Sequence, residues 1–216
     1  MRVTEKSFEL TICAHMTLAL WGAGWTGIWF GLSQKQEAAL GFDVATRVGG
    51  VLLLLQFKAS TRVTAEGRVF VLPWHQMQAL IRHAGGPWRG VYYVLPNIGT
   101  TLELARRVPR LLEEVWMLDV AELKRQQQIL LPPTGRRPCH RLYLCPPFAE
   151  LRSERLRLTV QPASAVVTEL EARFQTPQVV DETDEPIPRL RQDGLTGDAI
   201  RYIGRKALGL VLWRRR

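Results

Sequence analysis

A chain of 216 residues, 46% of them apolar and 23% charged, can close one sizeable hydrophobic core, which excludes a disordered polymer. Lysine and arginine number 29 against 20 aspartates and glutamates, a net charge of +9, so the surface field favours polyanions such as nucleic acid or acidic lipid. Three cysteines, Cys13, Cys139 and Cys145, are too few and too irregular for a disulfide framework, which favours a reducing cytosol.

In chain order, the apolar spacing of Phe8, Leu10, Ile12, Met16, Leu18 and Leu20 predicts a first helix, with Ser7 as its N-cap and Gly22 as its stop. Residues 10–32 carry no formal charge over a length that could span a bilayer. Four glycines (Gly22, Gly24, Gly27, Gly31), His15 and a switch to alternation at Trp25, Ile28 and Phe30 argue against a membrane helix. Glu5 and Glu9 stand where a secretory leader needs basic residues, so the expected location is the cytoplasm.

A short strand at 26–31 and the polar SQKQE are followed by two strands, about 42–48 and 51–58, joined at Gly49-Gly50. A third strand, Val69 to Leu72, leads through Pro73 into a helix, WHQMQALIRHA, closed by Gly85-Gly86. A strand at 91–96, a helix from Thr100 or Thr101 broken by Pro109, and a strand at 115–120 complete the set. Helices alternating with strands in this way define an α/β fold with a mixed central sheet flanked by helices.

Composition divides the chain into a core at 1–125, a linker at 126–138 that includes PPTGRRP, and a smaller β-containing extension at 139–216. The extension has strands expected at 140–145 and 156–161, an acidic loop at 181–186 and a basic tail over the last sixteen residues. That tail mixes arginines with ALGLVLW and would suit nucleic acid, anionic lipid or a partner subunit.

The chemistry concentrates on the Gly49-Gly50 hairpin. With a two-residue loop Val48 pairs with Val51, which sets Asp43 across from Gln56. Directly opposed residues share a sheet face, as do residues two apart, so Asp43, Gln56 and Lys58 project from one side. A carboxylate, an amide oxygen and an ammonium on one face suit metal-assisted phosphodiester chemistry: Mg²⁺ takes oxygen ligands and keeps several waters, and an amine beside it can orient a water or neutralise phosphate charge.

The segment QKQEAALGFDVATRVGGVLLLLQFKAS, residues 34–60, resembles the PD-(D/E)XK nuclease superfamily in the branch where Gln replaces the second acid. The resemblance implies a restriction-endonuclease-like core and a Mg²⁺-dependent nuclease, acting on DNA in the first place, of a kind frequent in bacterial defence systems. Carried over, Asp43 is the metal-binding acid, Gln56 stands in the place of the second acid, and Lys58 is the catalytic lysine. The helix acid has two candidates, Glu37 and Glu9, with Glu37 preferred for its nearness to Asp43. His75 or Gln76 would face the same site.

Other features are ordinary packing or solvated faces. Cys139, His140 and Cys145 supply at most three zinc ligands at an unfamiliar spacing, and buried, inert thiols are the simpler reading. The clusters Arg106-Arg107-Arg110 and Arg136-Arg137 fit a phosphate backbone or plain solvent equally. The alternative function is a non-catalytic module of the same fold that binds nucleic acid, a protein partner or a second copy. A third is a peripheral membrane protein.

Overall fold

The computed structural model describes residues 2–174 apart from 26, 49, 87–88 and 134–137; the acidic loop, the basic tail and Arg136-Arg137 lie outside the described residues. Helix α1 (Glu5–Gly22) starts earlier than its apolar spacing suggests. Thr4, not Ser7, caps it: Thr4 Oγ1 accepts the Ser7 backbone N–H at 3.1 Å. Phe8, Ile12, Cys13, Met16 and Leu20 are buried on one face, while Leu10, Leu18 and Trp21 are exposed on another. A helix apolar on two faces explains the long uncharged stretch, and among the described residues no helix is long and apolar enough to cross a membrane.

Strand β1 (Phe30–Gly31) is followed by α2 (Gln34–Leu40), a helix that begins in the polar SQKQE stretch where none was expected. A Ser33–Gln36 capping box starts it, and Gly41 ends it in the left-handed region at φ 84°. It is too short, with its apolar residues bunched at the C-terminal end, for a periodicity to register. Strands β2 (Val44–Val48) and β3 (Val51–Phe57) pair with Val48 opposite Val51 and Val44 opposite Leu55, around a turn in which Gly50 takes φ 86°. The two-residue register is therefore the one adopted.

The chain continues through β4 (Arg62–Thr64), β5 (Gly67–Pro73), α3 (Trp74–His83) and β6 (Arg89–Pro96). Next come α4 (Thr101–Arg107), a 3-10 turn at Val108–Arg110 where Pro109 interrupts the helix, α5 (Leu111–Glu114), β7 (Val115–Asp119) and α6 (Val120–Arg125). The segment after residue 138 supplies β8 (Cys139–Cys145), β9 (Phe148–Leu151), β10 (Leu156–Thr159), β11 (Gln161–Pro162) and α7 (Ala163–Phe174).

The central sheet runs β1-β2-β3-β6-β7-β11, with β3 and β6 parallel and its other pairs antiparallel. A second, antiparallel sheet runs β10-β9-β8-β5-β4. Residues after 138 thus enter both sheets. One core packs α1, α5 and α7 against Leu53, Leu55, Phe57, Val94 and Met117 of the central sheet. On the opposite face Leu54, Tyr93 and Leu118 meet α2, α3, α6 and the inner side of the second sheet. Burial on both faces is why β3 reads as an unbroken apolar run rather than an alternation.

Gly41 fixes the approach to Asp43 and packs directly on α3. A Cβ there would lie 2.8 Å from both Ala79 Cβ and Gln76 O, on a backbone that already needs positive φ. Gly41→Ala is expected to cost about 2–4 kcal/mol of unfolding free energy, measured by urea titration, the sum of left-handed strain and overpacking.

Candidate functional site

The β2–β3 register sets Asp43 beside Gln56, and the side chains bond as the pairing requires. Asp43 Oδ2 accepts Gln56 Nε2 at 2.7 Å and the Phe57 backbone N–H at 2.7 Å. Both bonds fall on Oδ2, so among the described residues Oδ1 keeps its lone pairs. Gln56 Nε2 also donates to Phe57 O at 3.0 Å, and Gln56 Oε1 accepts Gln76 Nε2 at 2.8 Å from the first turn of α3. The chain of amides ends at Gln76 Oε1, which is buried and has no partner among the described residues. Of the two candidates on α3, then, Gln76 reaches the site; His75 is exposed.

Asp43 is only 8% exposed and Gln56 1%. Burial pushes the Asp43 carboxyl up to about 6; the Phe57 N–H, the Lys58 charge and the Gln56 amide pull it down, and the Glu37 charge pushes it up again. Lys58, 7% exposed, has Glu5 Oε1 at 3.9 Å, and the same oxygen accepts the Ala59 N–H at 3.1 Å. Glu5, in the first turn of α1, is a site neighbour that sequence reasoning missed. The signal for it was present: Glu5 and Glu9 lie four apart on one helix and so on one face.

Glu9 is buried and takes Lys6 Nζ at 2.5 Å. Glu37 on α2 is partly buried, and burial raises its carboxyl; Lys6 and Lys58 oppose the rise, while Glu9 and Glu5 add to it. Glu5, Lys6, Glu9, Glu37, Asp43 and Lys58 thus share one field. Tyr93, opposite Gln56 in the parallel β3–β6 pairing, lines the floor. Its hydroxyl is fully buried and has no partner among the described residues, and burial together with the Asp43 charge holds it well above the usual phenol range. Nothing in the sequence singled Tyr93 out of an apolar strand.

The donor set for a divalent cation is sparse. Among the described residues no three His, Cys, Asp or Glu side chains converge as a metal cluster. Gln56 turns its N–H, not its oxygen, toward Asp43. What fits a hard cation is the buried Asp43 carboxylate with one uncommitted oxygen and no closer counter-charge than Lys58. The zinc alternative has no such support: His140 is buried with Glu154 Oε1 2.9 Å from Nδ1, Cys139 is partly buried, and Cys145 is exposed rather than an inert interior thiol. Cys13 alone fits the buried reading, with burial lifting its thiol to about 12.

No protein-family model and no curated protein matches this chain. Among solved structures it is similar to Hjc, a Holliday junction resolvase from the archaeal hyperthermophile Archaeoglobus fulgidus, at 16% identity and TM-score 0.36, covering 75% of this chain and 98% of that one. At that level of likeness the site has to be judged on its own geometry.

An acid whose folded value, about 6, lies above its ordinary 3.8 holds its proton more tightly in the folded protein than in the unfolded chain. The stability it contributes is fully present below pH 3.8 and is lost as pH rises through about 6, at about 1.4 kcal/mol per pH unit between them, on the order of 3 kcal/mol in all. Asp43→Asn is therefore expected to be about 1–3 kcal/mol more stable than the parent at pH 8, with the gap closing toward pH 4. Urea unfolding across that range measures it.

Proposed function

We propose that the protein processes nucleic acid, DNA in the first place, as a Mg²⁺-dependent phosphodiesterase of the PD-(D/E)XK kind. The observation that carries this reading is a buried carboxylate, Asp43, with an open oxygen in the field of a nearly buried ammonium, Lys58. Isolated buried charges are costly, so a fold that keeps both at a strand end has a use for them.

Asp43 would hold the cation, with Gln56 beside it and Glu37 or Glu9 acting through water. Bound there, Mg²⁺ would stabilise charge on a phosphate and acidify a water. For its oxygen to meet the cation the Gln56 amide has to turn over, and Gln76 Oε1 is the free acceptor for the N–H it would then present. Lys58 would sit against the phosphate, held off from Asp43 by its longer pairing with Glu5. The resemblance alone suggests a setting in bacterial defence.

The orientation of Gln56 favours a second reading, a non-catalytic module of the same fold in which the amide seals Asp43 instead of serving a cation. Plasmid incubated with the protein and Mg²⁺ separates the two. Catalysis predicts nicking that falls at least about 100-fold in Asp43→Asn and in Lys58→Met, within the range for loss of a group acting on the transition state. Cleavage unchanged in both variants would refute the site; none by the parent with any divalent ion would leave the module.

A gain of charge gives an independent check. Gln56→Glu places a second carboxylate beside Asp43, so the metal-free variant is expected to lose stability above pH 7 through like-charge repulsion. Mg²⁺ should restore it, with a midpoint at least about tenfold lower than the parent's in a thermal-shift titration. Stability indifferent to Mg²⁺ would count against cation binding at this position.

A further inference from the structure

The second sheet covers the core with one side only. Leu142, Leu144, Ala149, Leu151, Leu156 and Leu158 point inward. On the other side the pairing aligns Arg62, Val69, Tyr143, Glu150 and Arg157 in one row across the strands, since directly opposed residues share a face; Val69 and Tyr143 at its middle are buried, and Arg62, Glu150 and Arg157 are exposed. Arg141, two before Tyr143, and the opposed Cys145, Phe148 and Thr159 extend the same surface.

Arginines and rings interleave there. The Arg157 guanidinium stacks 3.6 Å from the Phe148 ring centroid, and that of Arg152 lies 4.2 Å from Tyr143. Arg152 is engaged by Glu66 at 2.6 Å and by Glu150 at 4.0 Å. Arg62, Arg141 and Arg157 are exposed and have no acidic partner among the described residues. A cavity of about 300 Å³ is lined by Phe148, Arg157, Cys145, Ala149 and Glu150.

We propose that this face binds single-stranded nucleic acid. Unpaired arginines complement a phosphate backbone, a guanidinium flat on a ring leaves its fork free for phosphate, and an aromatic beside a cavity can stack an unpaired base. A duplex would use the charges and leave the ring and the cavity idle. The row from Arg62 to Arg157 crosses four strand spacings, about 19 Å. Arg62 is four residues after Lys58, within about 14 Å along the chain, so a strand lying on the sheet leads toward the hairpin site. The inference rests on the nucleic-acid reading for the class of polymer and needs nothing from the catalytic one.

The test is fluorescence anisotropy of labelled oligo-dT with the full chain in EDTA, so that cleavage plays no part. Expected are tighter binding of oligo-dT than of a duplex of equal length, a loss of at least about tenfold in Arg141→Glu with Arg157→Glu, and a salt slope reduced by about one to two. Phe148→Leu should cost about fivefold or more. Because EDTA removes any cation-dependent step, an inactive hairpin site leaves this readout unmoved and stays distinct from a failed binding face. Arg82→Glu with Arg125→Glu makes the same change in net charge on α3 and α6 and should shift binding less than about twofold. Circular dichroism checks folding, and Arg141→Gln with Arg157→Gln replaces the reversal pair if it unfolds.

The proposal is overturned if the control pair weakens binding as much as the face pair, or if duplex binds as tightly as oligo-dT. It is equally overturned if the face variants lose binding to anionic vesicles or to an acidic polypeptide while oligo-dT is unaffected.

Discussion

The site depends on one pairing: the Asp43 carboxylate receives the Phe57 backbone N–H and the Gln56 amide on the same oxygen. The hairpin register makes this possible, because with Val48 opposite Val51 the acid falls at the level of the last residues of β3. A slip of one residue would send Asp43 to the other face and leave the Phe57 N–H to find another acceptor. The acid is shielded from solvent, and its carboxyl is lifted to about 6 because two donors and the Lys58 charge do not fully replace lost hydration.

Around that acid the charges are arranged in pairs that do not quite close. Lys6 takes Glu9 at 2.5 Å, whereas Lys58 stands 3.9 Å from Glu5 and Glu37 is held by field alone. Gln76 Oε1 and the Tyr93 hydroxyl remain buried without partners among the described residues. Unsatisfied polar atoms are rare in folded interiors, and two of them flanking Gln56 mark this end of the sheet as a place where polar groups serve something other than stability.

The two sheets divide the labour. Buried on both faces, the central sheet gives the hairpin a rigid base, and its parallel β3–β6 pair sets Tyr93 against Gln56. The second sheet lends its apolar side to the same core and exposes Arg62, Arg141 and Arg157 on the other, with Phe148 half-buried beside them. Because β5 runs straight into α3, the outer sheet and the residue that completes the amide chain, Gln76, are parts of one continuous stretch.

Much of this was legible locally. A glycine pair between two apolar runs announces a hairpin, period-two geometry then aligns Asp43 with Gln56, and Pro73 with Gly85 bounds α3 to within a residue or two. The short α2, the edge strand β4 and the cap at Thr4 were not, because brief polar elements carry no periodicity. The sequence by itself determined the α/β class with a mixed sheet and the pairing of Asp43 with Gln56 across the hairpin, since these follow from backbone geometry over a few residues. Only the tertiary structure decided which α3 residue meets Gln56, how Glu5, Glu9 and Glu37 are placed around Lys6 and Lys58, and which way the amide points, because those contacts join segments dozens of residues apart whose approach is set by packing on both faces of the sheet.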